Sequence, residues 1–220
     1  MKTLVIAPHP DDEVLGCGGT LLRRKSEGGL TGWLIVTGIS EQSGWSEMQV
    51  NQREVEIAKV NKMIGFDQIY NLRLPTMQLD KLPKKELIDK FSGIFNEFRP
   101  QEILLPHCSD VHTDHKIVFD VTASCVKWFR HPYVVRVLAY ETLSETEFGL
   151  NVETAFRPNY FIDISNYLEP KIDLMKIYRT ELGDFPFPRS IEAIKALAVL
   201  RGSNAGFGAA EGFQLLLERE

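Results

Sequence analysis

Short apolar runs alternate with amphipathic segments along the first half of the chain. Residues 4–7, 32–38 and 103–105 are mostly apolar, which is typical of strands buried on both faces of a parallel sheet. Segments between these runs, such as 47–63 and 86–98, carry apolar residues at helical spacing. Alternation of this kind predicts parallel strands joined by right-handed helical crossovers.

The pattern as a whole predicts an α/β fold, a three-layer, Rossmann-like, mostly parallel sheet flanked by helices. The predicted strands are residues 4–7, 32–38, 69–72, 103–105, 134–140 and 160–162. The predicted helices are residues 14–24, 47–63, 86–98, 111–128, 164–178 and 191–200, followed by a flexible turn at 201–206 and a short element of unassigned type at 209–217. Neither an internal repeat nor an interdomain linker is found, so we expect residues 1–220 to form a single domain.

Composition and charge narrow the classes of function. Hydrophobic residues make up 44% of the chain and charged residues 25%, as in ordinary globular proteins. The formal net charge of −5 argues against nucleic acid or an anionic membrane as a partner, and we expect neither a signal peptide nor a membrane span. The three unpatterned cysteines, Cys17, Cys108 and Cys125, indicate a reducing compartment. We therefore expect a cytoplasmic protein, and the sequence leaves a homo-oligomer open.

A histidine and three carboxylates follow the first predicted strand directly. The letters HPDDE occupy residues 9–13, just before the helix predicted at 14–24. In open α/β sheets, ligands bind at this carboxyl end of the strands. Adjacent carboxylates repel one another unless a cation or a proton lies between them. Taken alone, however, the acids are better explained as favourable charges at the N-terminus of a helix.

A second cluster follows the fourth predicted strand. Residues 107–115 read HCSDVHTDH and contain three of the five histidines, namely His107, His112 and His115. His112 and His115 are three positions apart and share one face of the helix predicted at 111–128. Asp110 and His112 alone are also consistent with a helix cap and a solvated turn. Two such clusters, both directly after buried strands, favour a metal site, and His107 is then expected to be a structural histidine.

Together the clusters contain the parts of a hydrolytic metal site. His9, Asp12 and His115 offer two imidazole nitrogens and one carboxylate oxygen, a set that suits zinc and leaves a position for water. We expect Asp11 to act as the general base towards that water. We expect His112 to stabilise the oxyanion of a tetrahedral intermediate, with Asp114 orienting His112 and keeping it charged. These residues predict metal-assisted hydrolysis of an amide.

The HPDDE segment and the His-Thr-Asp-His segment at 112–115 resemble the zinc-dependent de-N-acetylases of the LmbE/PIG-L family, which includes the deacetylases of mycothiol and bacillithiol biosynthesis. The resemblance extends to Arg53-Glu54 before Gly65 and to the late residues 201–213. It implies the same metal ligands, general base and oxyanion histidine, with Zn²⁺ or Fe²⁺ as the cofactor. It adds Arg53, which matches an arginine that contacts substrate in family members.

We therefore expect a hydrolase that removes the N-acetyl group from an N-acetylglucosamine-like sugar conjugate, a small-molecule substrate. Two alternatives stay open: a metal-dependent hydrolase of a different amide or an ester, and a carbohydrate- or metal-binding protein without turnover. Asp11 and His112 argue against the second alternative, because binding alone does not need them. The polar loop at 40–46, which carries Trp45, is equally consistent with a cover over a ligand and with an ordinary surface connection.

Overall fold

Seven strands form one mixed sheet in the computed structural model, which describes residues 1–220. The strands are β1 (Lys2–Ala7), β2 (Leu30–Gly38), β3 (Gln68–Pro75), β4 (Glu102–Pro106), β5 (Arg136–Tyr140), β6 (Tyr160–Asp163) and β7 (Ala210–Glu218). Their order in the sheet is β3-β2-β1-β4-β5-β7-β6. Strands β1 to β5 run parallel, and β7 lies antiparallel between β5 and β6. The element of unassigned type near the end of the chain is therefore a strand.

Helices cover both faces of the sheet. They are α1 (Asp12–Ser26), α2 (Glu47–Ile64), α3 (Lys84–Phe98), α4 (Thr113–Cys125), α5 (Leu168–Met175) and α6 (Ile191–Ala205). Helices α1, α2, α5 and α6 share one hydrophobic core with Val5 and Trp33 of the sheet. Helices α3 and α4 share the other core with Leu4 and Leu34. The predicted three-layer α/β architecture is confirmed, and none of the helices is long and apolar enough to cross a membrane.

Capping residues set the limits of the helices. Ser46 begins α2 with a capping box, and Gly65 ends it in the left-handed conformation with φ 76°. Helix α6 continues to Ala205, so the flexible turn predicted at 201–206 is wrong. Gly202 lies inside α6 because the chain packs closely there, where a Cβ would lie 2.7 Å from the carbonyl oxygen of Phe207. A glycine that the sequence suggests as a turn residue instead permits close packing.

Helix α1 is interrupted at Cys17, whose φ of −150° and ψ of 23° are not helical. The helix approaches the sheet closely at this point, since a Cβ on Gly16 would lie 2.3 Å from the ring of Tyr140. The sequence predicts a continuous helix over 14–24 with glycines that allow close packing. The close packing is observed, but the continuity is wrong, because side chains from distant elements replace hydrogen bonds of one helical turn.

The strands β1 and β4 are neighbours in the sheet, with Leu4 beside Ile103. From β1 the chain passes outward to β2 and β3, and it then returns to β4 on the other side of β1. Such a reversal opens a crevice at the carboxyl ends of the two strands, where open α/β sheets bind ligands. The two polar clusters follow these two strands and therefore meet at the crevice.

Candidate active site

His9, Asp12 and His115 converge at the crevice between β1 and β4. The Oδ2 atom of Asp12 lies 3.3 Å from His9 Nδ1 and 3.3 Å from His115 Nε2. One ligating atom of each residue lies within 4.8 Å of the other two. Asp12 and His115 are buried, whereas His9 is partly exposed. Two imidazole nitrogens and one carboxylate oxygen at these separations can hold a single metal ion.

A second carboxylate contacts each imidazole on its other nitrogen. His115 Nδ1 lies 2.9 Å from Asp110 Oδ2, and Asp110 Oδ1 accepts a hydrogen bond from the hydroxyl of Thr146. His9 Nε2 lies 3.1 Å from Asp114 Oδ2. When these two ring nitrogens donate, His9 Nδ1 and His115 Nε2 keep their lone pairs for a cation. The carboxylates therefore select the tautomer that a metal site needs.

Sequence reasoning missed Asp110 as part of this arrangement, because the residue also fits the role of a helix cap. The signal that could have found it is a chemical requirement. An imidazole that binds a metal through one nitrogen usually donates its other N–H to a carboxylate or carbonyl. Asp110 lies fully buried in the loop before α4, five positions ahead of His115, and meets that requirement.

The balance of charge at the site fits a cation. Asp12, Asp110 and Asp114 are all buried there. Burial disfavours the charged form of His9 and His115, yet the neighbouring carboxylates raise the pKa of His9 to about 9 and that of His115 to about 10. Burial also disfavours the ionised form of Asp12, but the two imidazoles hold the pKa of Asp12 well below its usual range. Asp114 Oδ1 is buried without a hydrogen-bond partner. A divalent ion suits this concentration of negative charge.

Asp11 lies beside Asp12 in a backbone conformation that side chains normally avoid. Its φ is 143°, in a region where strain of about 1–3 kcal/mol is usual for a residue other than glycine. The N–H of Asp11 donates to Glu13 Oε2 at 3.0 Å, and Glu13 Oε1 accepts from the hydroxyl of Tyr178 at 2.8 Å. Burial and the charges of Asp12 and Glu181 raise the pKa of Asp11 well above its usual range. The carboxyl group therefore has a raised proton affinity.

His112 is the N-cap residue of α4, and its contacts differ from the expectation. Its Nδ1 accepts a hydrogen bond from the backbone N–H of Asp114 at 3.1 Å, so the neutral ring carries its proton on Nε2. Burial and the charges of His9 and His115 lower the pKa of His112 to about 4.

Asp114 therefore contacts His112 through its backbone N–H, and its carboxylate bonds His9 instead of the expected His112. The reason is the position at which α4 begins. Because Thr113 is its first residue, the backbone amide of Asp114 faces His112 while the carboxylate reaches His9. Asp114 thus belongs to the site through His9.

A cavity of about 220 Å³ opens over the clusters. Its wall also includes residues from other parts of the chain, namely Trp45, Arg53, Met77, Thr142, Glu145, Glu181 and Arg189. The loop at 40–46 therefore contributes to the cavity through Trp45, which the sequence left open. Arg53, which the sequence singled out only through a family resemblance, lies in the wall as well.

An arginine–glutamate–arginine group forms one side of the cavity. Arg53 Nη1 donates to the carbonyl of Pro10 at 2.7 Å, and Arg53 Nη2 pairs with Glu181. Arg189 Nη2 lies 3.5 Å from the other carboxylate oxygen of Glu181. Sequence reasoning missed Glu181 and Arg189, because they lie in an irregular segment without a periodic or motif signal.

The family model PIG-L, described as GlcNAc-PI de-N-acetylase, matches residues 4–126 of the chain. The chain belongs to the PIG-L family. The matched range contains both histidine and carboxylate clusters and Arg53. Deacetylases of this family are metal-dependent, and the group of His9, Asp12 and His115 could hold a metal ion.

Three relatives show how far the similarity of this chain to known proteins extends. A solved conserved protein of Thermus thermophilus is 30% identical, with a TM-score of 0.79 over 99% of this chain and 95% of that one. Diacetylchitobiose deacetylase of Thermococcus kodakarensis is 22% identical over 98% of this chain and 83% of its own length. The solved 4-carboxy-2-hydroxymuconate hydratase of Pseudomonas putida shares the fold at 17% identity, with a TM-score of 0.76 over 100% of this chain and 98% of that one.

These similarities agree with the predicted class of enzyme. Both the family and the Thermococcus relative are deacetylases, consistent with an N-deacetylase hydrolase. The Pseudomonas hydratase shows that the same fold occurs in an enzyme with a different reaction name. The reaction of the present protein therefore has to be inferred from the residues of its own site.

Proposed function

We propose that this protein is a zinc-dependent hydrolase that removes the N-acetyl group from an N-acetylglucosamine-like sugar conjugate. The observation that carries the proposal is the group of His9, Asp12 and His115 at the switch point of the sheet. Asp11 and His112 line the same cavity. A carbohydrate-binding protein without turnover would need neither a buried carboxyl group of raised pKa nor an imidazole donor next to the metal group.

His9 Nδ1, Asp12 Oδ2 and His115 Nε2 would hold the ion. A bound Zn²⁺ supplies a Lewis acid that lowers the pKa of a water molecule and polarises the acetamide carbonyl. A set of two imidazoles and one carboxylate also suits Fe²⁺, so iron is the alternative metal.

Asp11 acts as the general base in this proposal. Its carboxylate accepts a proton from the attacking water and then returns that proton to the leaving nitrogen, so that acetate and a free amino sugar are the products. A base of this kind works best with a pKa near the working pH, and burial beside Asp12 shifts the pKa of Asp11 in that direction. General acid–base catalysis by a positioned carboxylate is worth about 10²–10⁴-fold in rate.

His112 acts as a neutral hydrogen-bond donor. Because Nδ1 is occupied by the amide of Asp114, the Nε2–H of His112 is the group free to donate to the oxyanion. A fixed donor at this position stabilises the tetrahedral intermediate more than the flat acetamide. The lowered pKa of His112 is compatible with this role, since the neutral imidazole already carries the required proton on Nε2.

The substrate class rests on the relatives and on the cavity. The family is named for GlcNAc-PI and the Thermococcus relative for diacetylchitobiose, and both compounds contain N-acetylglucosamine. The cavity offers Arg53, Glu181 and Arg189 as partners for sugar hydroxyls, and Trp45 as an apolar surface for a sugar ring. We propose an N-acetylated amino sugar with a small conjugated group.

We further propose a cytoplasmic location. Cys17, Cys108 and Cys125 are free thiols, which is the usual state of cysteines in a reducing compartment. Measurement of the protein in separated cell fractions tests this location, and recovery mainly from a secreted or membrane fraction would contradict it.

The test of the function is acetate release from diacetylchitobiose, from N-acetylglucosamine and from N-acetylglucosamine glycosides. We expect acetate from the metal-loaded protein, none after treatment with a chelator, and recovery when Zn²⁺ or Fe²⁺ is restored. Asp11→Asn is the matched control, and we expect it to bind the metal while acetate release falls by about 10³-fold. Acetate release that is unaffected by the chelator would contradict the proposal. The absence of acetate release from all of these sugars with either metal would contradict it as well.

A further inference from the structure

The interruption of α1 leaves two sets of backbone groups that a continuous helix would pair. In an unbroken helix the N–H of Gly19 would donate to the carbonyl of Leu15. Here the N–H of Gly19 donates to Glu211 Oε1 at 2.9 Å, and the N–H of Thr20 donates to Glu211 Oε2 at 2.7 Å. The carbonyl of Leu15 accepts from Lys171 Nζ at 2.8 Å. Each broken end of the helix thus has its own side-chain cap.

The two caps are also bonded to each other. Lys171 Nζ lies 2.6 Å from Glu211 Oε1, and both residues are only 4% exposed. Lys171 belongs to α5 and Glu211 to β7, so the pair ties α1 to two elements far away in the sequence. A buried ion pair is weak evidence for stability in itself, because its desolvation offsets much of its attraction. The presence of the buried pair is better explained by the geometry that Lys171 and Glu211 impose on α1.

A short series of hydrogen bonds connects this pair to the metal group. The N–H of Leu15 donates to the carbonyl of Asp11 at 2.9 Å, while the carbonyl of Leu15 is held by Lys171. The side chain of Leu15 lines the active-site cavity. Asp11 has the unusual φ of 143°, a conformation that persists only where the surroundings enforce it. The next residue, Asp12, contributes the carboxylate shared by His9 and His115.

We propose that Lys171 and Glu211 are positioning residues of the active site, which fix the first turn of α1 and thereby the carboxylates of Asp11 and Asp12. Neither residue touches the reacting atoms. The inference rests on the proposed function, since it assumes that Asp12 binds the metal and that Asp11 transfers protons.

The test uses two variants of the full chain. Glu211→Gln keeps one acceptor oxygen for the backbone amides and removes the charge. The double variant Lys171→Met with Glu211→Gln removes both charges, so that neither is left buried alone. The metal dissociation constant is measured by calorimetric titration of the chelator-treated protein, kcat and KM by acetate release, and folding by circular dichroism. We expect both variants to fold, with metal binding and kcat each weakened about tenfold or more and KM within about twofold.

Glu102→Gln is the matched control. Glu102 is also a fully buried carboxylate with two basic partners, Arg24 of α1 and Arg136 of β5. It is the first residue of β4, at the amino ends of the parallel strands, whereas the active site lies at their carboxyl ends. We expect Glu102→Gln to lower the unfolding temperature while the metal dissociation constant and kcat stay as in the unmodified protein.

The outcomes separate this inference from the proposed function. Unaltered metal binding and kcat in a folded Glu211→Gln protein would overturn the positioning role, and so would equal losses in Glu102→Gln. A parent protein that neither binds the metal nor releases acetate would instead contradict the proposed function. If the double variant does not fold, the comparison of Glu211→Gln with Glu102→Gln decides.

Discussion

The two turns that form the site are built in different ways. The turn after β4 is local and regular: α4 begins at Thr113, His112 caps it, and Asp110 and His115 lie within six positions of each other. The turn after β1 is strained at Asp11, and the helix behind it is broken at Cys17. Two groups more than 150 positions away in the sequence support it: Lys171 donates to the backbone carbonyl of Leu15, and Tyr178 donates to the Glu13 carboxylate that accepts from the amide of Asp11.

The comparison shows which contacts fix the positions of the side chains in each turn. The α4 turn orients its imidazoles mainly through hydrogen bonds among its own residues, between Asp110 and His115 and between Asp114 and His112, and Thr146 adds one contact from outside the turn. The α1 turn presents two adjacent carboxylates with different environments, which no regular helix start provides. We infer that one turn depends mainly on its local sequence and the other on tertiary contacts, and the predictions below test this contrast.

The largest effect is expected for Asp11→Asn in the α1 turn. Loss of the proton acceptor should lower kcat by about 10³-fold, while the metal dissociation constant stays within a few-fold of the unmodified value, because Asp12 remains. Acetate release and calorimetric metal titration on the same preparation check both expectations. Near-normal turnover would remove Asp11 from the role of general base.

A smaller loss is expected for His112→Ala in the α4 turn. Removal of the Nε2–H donor should lower kcat by about 10²-fold with little change in KM, because an oxyanion contact acts in the transition state. His112→Asn should recover part of the loss, since an asparagine offers an N–H donor and also favours the N-cap position. Equal kcat values for the two variants would contradict the donor role.

Asp110→Asn tests how the α4 turn orients its imidazole. The carboxylate partner of His115 would be lost, and metal affinity should fall by about 10- to 100-fold. Excess metal should restore most of kcat, because the catalytic groups are unchanged. Calorimetric titration checks the affinity. A dissociation constant equal to that of the unmodified protein would show that Asp110 does not tune the site.

The smallest effect is expected for Tyr178→Phe, which removes one hydrogen bond from Glu13 and so loosens the amide contact of Asp11. We expect a loss of about 1 kcal/mol in the free energy of unfolding and a decrease in kcat of up to about fivefold. Chemical unfolding and acetate release measure the two effects.

Tyr133→Phe is the control for that prediction, because its hydroxyl is hydrogen-bonded far from the α1 turn, to the carbonyl of Phe95 and to His131 Nδ1. It should lower stability without changing kcat. A decrease in kcat for Tyr133→Phe as large as that for Tyr178→Phe would break the contrast between the α1 turn and the rest of the molecule.

Much of the fold could be predicted from local patterns, and the two errors both lie in helices that contain glycine. Strand–helix alternation was enough to predict the parallel strands. The helical state of residues 201–205 is not predictable when Gly202 and Gly206 are interpreted as turn residues, and the interruption at Cys17 is not predictable because it depends on contacts with Lys171 and Glu211. In both cases the missing Cβ instead allows another part of the chain to approach, as Tyr140 approaches Gly16.

The candidate site shows the same division. The sequence predicts that His9, Asp12 and His115 form a group. The segments that carry them follow two strands of a parallel sheet, and the carboxyl ends of such strands lie on the same side of the sheet. The correct partner of Asp114 could not, because the choice between His9 and His112 depends on where the first turn of α4 lies. Glu181 and Arg189 could not be identified from the sequence, because their place in the cavity wall follows from the contacts of Glu181 with Arg53 and Arg189.

Local patterns were sufficient to predict the α/β class and the two chemically distinct clusters at strand ends, because hydrophobic periodicity and short motifs are local properties. The three-dimensional arrangement was needed to assign each carboxylate to its imidazole and to show how the strained turn at Asp11 is supported. Those contacts join residues that are distant along the chain, and their geometry arises when the sheet brings β1 beside β4 and places β7 and α5 behind α1.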